Sequence, residues 1–324
     1  MSERLDHFIA RANAAYYATR DPFADFTTSP EMSQAFGEIL GLWAAIVWQS
    51  MGSPDPVILA EAGPGRGTLM ADALRAIHRA ASEFGGALRV HLVENSPRLR
   101  AIQAERLPGA IWHDTTEQIP PGPMILLANE FFDALPIRQF VCRGDDWTER
   151  FVHDGVFAEH PASSPGRAAN DGEIVEICEP AIGIASAIGA RLATQGGAAL
   201  FLDYGPAESA AGDSLQALRG GEPADPLEDP GSADVTAHVD FAALARAARD
   251  AGAAAHGPIP QGKFLTRLGL VQRTAALART QPPRQASDMM QAAQRLTELD
   301  RMGRLFKVLA VCHPALPTPP GFEA

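Results

Sequence analysis

The sequence predicts an α/β fold, a mostly parallel sheet covered by helices on both faces. Three observations predict it. Short apolar runs alternate with amphipathic or Ala-rich segments from residue 57 to residue 203. The first run meets Gly63, Gly65 and Gly67 directly before a helical segment, a strand, tight turn and helix start in succession. Four of the runs end in acids or amides: Glu61, Glu94, Asn129-Glu130 and Asp203. In such sheets ligands sit beyond the carboxyl ends of the strands, so these residues mark one edge as the site.

The elements follow in order. Residues 2–18 read as a helix, and 21–31 as a loop of turn formers. Ser29 is expected to cap the next helix, with Pro30 at its first position. Met32, Phe36, Ile39, Leu40, Trp43, Ile46 and Val47 recur at three and four residues, an apolar face that suits either the core or a homodimer contact. Gly52 and Pro54 stop that helix. Strands are expected at 57–62, 88–94, 110–112 and 124–128, with helices at 69–83 and 97–106 between them. Residues 139–142, 148–152 and 156–159 form a hairpin and its extension, and 161–172 a loop. A helix at 181–194 precedes a strand at 198–203. Residues 205–235, rich in Gly, Pro and acids, read as a long loop. A helix at 239–251, a strand at 253–260, helices over 262–302 broken at Pro282-Pro283, and a last buried strand at 305–311 complete the chain.

The whole is expected to be a single domain over 1–324. It divides into an N-terminal helical segment (1–52), a core sheet (53–260) with a hairpin insertion near 137–172, a helical insertion (261–303) and a final core strand (304–312).

Composition narrows the function. Of the 324 residues 46% are apolar and 20% charged, which supplies a sizeable core. The formal net charge of −12 and the lack of any Lys/Arg block exclude a nucleic-acid binder and suit a cationic protein partner. Cys142, Cys178 and Cys312 lie far apart and form no C-x-x-C, so neither a disulfide framework nor a metal site is expected. The first residues lack a signal core, and the longest apolar stretch, 39–48, is too short for a membrane span.

The glycine spacing is G-x-G-x-G, not the G-x-G-x-x-G of dinucleotide enzymes, and Pro64 removes an N–H that a pyrophosphate would use. Both features point away from NAD and towards S-adenosylmethionine (SAM). Glu94 is placed to accept the ribose hydroxyls. Glu61 either shapes the glycine loop or faces the ligand's amino-acid end. Trp112 is expected against the adenine, and Asp114 at its exocyclic amine. Asn129 and Glu130, followed by Phe131, Phe132 and Asp133, stand where a methyl acceptor approaches. Asp203 is expected to help Glu130 hold a cation, and His238 to orient the acceptor or relay a proton. Asp240 reads as a helix cap.

With these motifs in view the chain resembles the MidA-like family. These are class I SAM-dependent methyltransferases related to the mitochondrial complex I assembly-factor arginine methyltransferase. The matching segments include 26–33, 61–70, 93–100, 128–136, 202–205, 212–216, 234–241, 261–265 and 302–310. The resemblance implies a seven-stranded, Rossmann-like methyltransferase sheet with an antiparallel last strand. The N-terminal helical segment and the hairpin and helical insertions decorate it. It implies SAM as donor and arginine on a respiratory complex I subunit as acceptor, in the bacterial cytoplasm or, in a eukaryote, the mitochondrial matrix. Two departures stand out. The loop at 20–26 is short and lacks glycines, and Gly220-Gly221 replaces the family's Gly-His.

The expected chemistry assigns Glu130, Asp203 and His238 to the reaction, and Glu61, Gly63, Gly65, Gly67, Glu94, Asp114 and Asn129 to the donor. An alternative is a SAM-binding assembly chaperone without catalysis; another is a methyltransferase with a different substrate.

Overall fold

The computed structural model describes residues 2–20 and 28–323; most of the shortened loop, 21–27, lies outside the described residues. Seven strands form the central sheet: β1 (Val57–Ala62), β2 (Leu88–Val93), β3 (Ile111–His113), β4 (Met124–Asn129), β5 (Gly197–Tyr204), β6 (Ala254–Pro260) and β7 (Phe306–Cys312). Their spatial order is β6-β7-β5-β4-β1-β2-β3. Strands β1 to β5 run parallel, and β7 is antiparallel to both β5 and β6. Every residue of β1 and β4 is buried, as strands covered on both faces require.

Two cores flank the sheet. On one face lie α3 (Gln34–Ser50) and α4 (Thr68–Ala80), with Phe36, Leu40, Trp43 and Ile77 against Leu59, Leu127 and Leu200. The helices approach so closely that a Cβ on Gly41 would sit 2.7 Å from Ala73 Cα. The apolar face of α3 is therefore this chain's own core and not a free dimer surface; Ile46, 45% exposed, is its one large apolar side chain left outside. On the other face α7 (Glu179–Gln195) and α8 (Phe241–Asp250) pack Ile188, Leu192, Phe241 and Leu244 onto Ile58, Leu126 and Phe201. Asp240 caps α8, accepting from Ala243 N at 2.9 Å.

The N-terminal helix α1 (Leu5–Thr19) does not join either face. Its Leu5, Phe8, Ile9 and Ala12 form a third core with Ile137, Val152, Ala217 and Val235. That core belongs to two small antiparallel sheets. One contains strands 138–143, 146–153, 156–162 and 174–177 plus residues 3–4. The other contains strands 216–219, 222–224 and 234–236, inside the region read as an open loop. Gly220-Gly221, both at positive φ, is the two-residue turn of this second sheet.

Other boundaries shift as well. The helix expected from Ser29 is two. A short α2 (Ser29–Met32) has Thr28 at its N-cap and Ser29 inside, and α3 starts anew at Gln34. The helix expected over 69–83 breaks at Ala81 and resumes as α5 (Ser82–Ala87). The C-terminal helices also part at Gly269, whose φ of 82° is left-handed. Among the described residues no helix is long and apolar enough to cross a membrane.

Candidate active site

A cavity of about 720 Å³ opens at the carboxyl edge of β1, β2, β3 and β4. The glycine turn forms its floor. Gly63, Gly65 and Gly67 have φ of 66°, 54° and 75°, which only glycine adopts without strain. A Cβ on Gly63 would also sit 2.9 Å from Phe131 Cδ2, so the glycine turn and the acidic turn after β4 touch. Gly67 is the N-cap of α4.

Glu61, the penultimate residue of β1, is 2% exposed and accepts a backbone bond from Met70 in α4; its Oε2 is buried without a partner. Burial pushes its pKa up to about 8. Both sequence roles remain open to it, since it braces the helix and lines the cavity. Glu94 follows β2 and lines the cavity. It accepts from Ser96 N at 2.8 Å and from Gln103 Nε2 at 3.2 Å, and burial raises its pKa. Asp114 also lines the cavity, with its carboxylate paired to Arg100 at 2.6 Å.

Trp112 does not reach the ligand space. Its indole N–H donates to Gln103 Oε1 at 2.8 Å, and its ring packs on the core under α3 and α4. The reason is Gln103 itself. It projects from α6 (Pro97–Arg106), is 0% exposed, and donates 2.7 Å to Gly65 O as well as to Glu94. One amide thus ties the glycine turn, Glu94 and Trp112 together. Sequence reasoning missed it, because a glutamine on a polar helix reads as solvated.

The acceptor side begins at Asn129, which is 6% exposed. Its Nδ2 donates to Glu130 Oε1 at 3.0 Å, and its Oδ1 is buried without a partner. Glu130 has φ +50°, a left-handed conformation rare outside glycine, at the first position beyond the strand. Its N–H donates to Leu202 O at 2.9 Å, which anchors the strained residue. Its Oε1 also accepts from Ser29 N at 2.9 Å. Burial raises its pKa.

Asp203 and His238 stand elsewhere. Asp203 is 0% exposed and lies behind the turn. Its Oδ2 accepts from the N–H groups of Phe131, Phe132 and Asp133 at 3.1, 2.9 and 3.2 Å, and its Oδ1 from Tyr204 N at 2.9 Å. Four backbone donors occupy it, so it shapes the acidic turn and does not line the cavity. Phe132 is core, edge-on to Phe201, while Phe131 stays at the cavity wall. His238 lies on a separate small cleft with Cys178 and Asp240, its ring edge-on to Tyr204. Neither residue is placed to touch an acceptor beside Glu130.

The roof comes from the N-terminal segment, where sequence reasoning named no site residue. Asn13 donates to Ala134 O at 3.0 Å and Val235 O at 2.8 Å, and Tyr17 O accepts from Ser96 Oγ at 3.2 Å. Glu31 accepts from Thr68 Oγ1 in the first turn of α4.

A family profile described as S-adenosyl-L-methionine-dependent methyltransferase matches residues 39–259. The chain belongs to this methyltransferase family. SAM is its methyl donor. The protein arginine methyltransferase NDUFAF7 of Danio rerio is 34% identical over 354 residues, covering 97% of this chain and 83% of the relative. The Homo sapiens protein of the same name is 33% identical over 351 residues, covering 96% and 79%. A likely methyltransferase of Burkholderia thailandensis, crystallised with S-adenosylhomocysteine, superposes with a TM-score of 0.80 at 26% identity, over 100% of this chain and 89% of that one. A second crystal structure from Burkholderia thailandensis gives 0.82 at 27% identity, over 99% and 90%.

The residues present fit that donor. A cationic ligand suits a wall in which Glu61 Oε2 and Asn129 Oδ1 are buried and unpartnered. Glu94, just beyond the neighbouring strand, adds a carboxylate to the same wall, the position from which an acid in such folds can accept a ribose.

Proposed function

We propose that the enzyme methylates a guanidinium nitrogen of an arginine on a protein, a subunit of respiratory complex I, and so serves that assembly. Its place is then the bacterial cytoplasm or the mitochondrial matrix. The observation that carries the reading is Glu130, a carboxylate held at φ +50° on the cavity wall beside the unpartnered Asn129 Oδ1. The relatives named as protein arginine methyltransferases support it.

The bound donor supplies an activated methyl on a sulfonium that leaves as a neutral thioether. The chain's task is positioning. The hydrogen bonds from Ser29 N and Asn129 Nδ2 both fall on Glu130 Oε1. Oε2 and Asn129 Oδ1 accept the N–H groups of the guanidinium and fix its plane. The carboxylate draws the positive charge towards those nitrogens and leaves the third with more electron density. That nitrogen sheds its proton to water as the new bond forms. Phe131, against Gly63, walls one side of the transfer path. A guanidinium beside Glu130 offsets the burial that disfavours its charge.

The test is transfer of a labelled methyl from SAM to the purified peripheral-arm subunits of complex I, followed by mass spectrometry of the marked residue. A mark on arginine is expected. A mark confined to lysine or to a carboxylate, or no mark from protein that binds SAM, overturns the assignment.

A further inference from the structure

Beyond the acid itself, the cavity is lined by one face of α1. The buried face of α1 carries Leu5, Phe8, Ile9, Ala12 and Tyr16. The opposite face presents Ala10 and Ala14, one turn apart, to the cavity. Leu135, Pro136 and Ile184, each only partly buried, line the same cavity. The bonds from Asn13 to Ala134 O and Val235 O hold the helix beside Leu135 and Pro136. The passage is thus walled by small or unpolar side chains and leads to Glu130 and the unpartnered Asn129 Oδ1.

We propose that this passage seats the methyl acceptor as an extended, cationic protein segment, with small apolar residues next to its arginine lying between Ala10 and Ala14 on one side and Pro136 and Ile184 on the other. The inference rests on the arginine reading above and adds which residues select the acceptor. Charge favours this occupant. Among the described residues the cavity wall carries six acidic side chains against one guanidinium, that of Arg66; Asp114 is paired to Arg100 and burial keeps Glu61 protonated, which leaves Glu31, Glu94, Glu117 and Glu130. The formal net charge of −12 acts in the same direction at longer range. A methyl side chain at 10 and 14 leaves room for a backbone to pass, whereas a leucine there would fill it. A bulky or acidic neighbour of the arginine would meet the apolar wall or the carboxylates.

The test uses the full chain loaded with S-adenosylhomocysteine. The probe is a fluorescent nine-residue peptide with a central arginine flanked by alanine and valine; a second peptide carries aspartate flanks. Binding is read by anisotropy and methylation by labelled SAM. The wild type should bind the first peptide and prefer it at least tenfold over the second. Ala14→Leu should weaken peptide binding at least tenfold while the affinity for S-adenosylhomocysteine stays within twofold, and Ala14→Ser should keep both. Ile184→Phe narrows the passage from the other wall and should repeat the result if Ala14→Leu fails to fold. Equal binding of the first peptide by wild type, Ala14→Leu and Ile184→Phe overturns the passage, as does a wild type that binds neither peptide. A peptide that binds in an Ala14-dependent way and is never methylated upholds the passage and refutes the arginine reading.

Discussion

The backbone N–H of Ser29 donates to Oε1 of Glu130 at 2.9 Å, across 101 residues of sequence. The bond stabilises the charged form of an acid whose burial works against it. Glu130 must be ionised to hold a guanidinium, and its pKa lies above the ordinary carboxylate value. kcat/KM should therefore fall as pH drops through that raised pKa. Ser29→Pro deletes the donor, and Thr28, with ψ 162°, already has the extended backbone a following proline needs. The acid limb of the pH profile should move to higher pH in this variant; an unmoved limb would mean that the bond does not tune the acid.

Glu130→Gln keeps the shape of the side chain and removes its charge. Transfer should fall by about a hundredfold or more, the range seen when one charge-stabilising group is lost. Calorimetry should give a SAM affinity within a few-fold of the wild type. Full turnover would remove Glu130 from the reaction.

Asp203→Asn separates shaping from chemistry. The carboxylate accepts three N–H groups of the acidic turn on one oxygen. An amide cannot replace both oxygens as acceptors, and a cost of about 3 kcal/mol is expected from buried donors left poorly paired. Thermal unfolding should drop, and donor binding and turnover should weaken together. A variant of unchanged melting temperature with only kcat lost would restore Asp203 to the reaction.

Gln103→Ala removes three bonds at once, those to Gly65, Glu94 and Trp112. KM for SAM should rise about tenfold, with a smaller change in kcat, because the loss falls on the donor side. Gln103→Glu should not rescue it, since a carboxylate would face Glu94 and cannot donate to Gly65 O. A KM for SAM unchanged in Gln103→Ala would refute the positioning role.

Glu61 gives the ligand-free protein a pH-dependent stability. Its folded pKa of about 8 lies above the unfolded value of 4.5. Between these values the folded state binds more protons than the unfolded one, so stability falls as pH rises through that window. The slope contributed is about 1.4 kcal/mol per pH unit at most. Glu61→Gln should flatten the denaturation midpoint between pH 5 and 8. An identical slope in the variant would show that Glu61 is charged throughout.

Much of this was legible from residues alone. The apolar run 57–62 and its glycines announce a buried parallel strand and its turn, because burial on both faces leaves Glu61 as its one polar position. The acids at 94 and 130 stand out for the same reason. Gln103 was not legible, since only the fold brings Gly65, Glu94 and Trp112 to one side chain. Trp112 misled because its position beyond α6 matches an adenine wall, and only the Gln103 bond shows where the ring turns. Asp203 looks like any strand-end acid until the N–H groups of 131–133 are seen to converge on it. Strands of three or four residues, such as Asp234–Thr236, lack enough length to show a period, and Gly and Pro around them read as loop. The roof made by α1 depends on contacts to residues more than a hundred positions away, which no local pattern encodes.

The position of β7 sets the order in which the molecule can be completed. It pairs with β5 on one side and β6 on the other, so two strands made earlier wait for one made later. A nascent chain that has not yet reached Phe306 leaves one edge of β5 and the whole of β6 unpaired, an invitation to aggregation. The tail that follows β7 then fastens the assembly, as Trp43 Nε1 donates to Pro320 O at 3.2 Å. Translation arrest or a frameshift upstream of this strand would therefore yield a sticky product rather than a shortened enzyme.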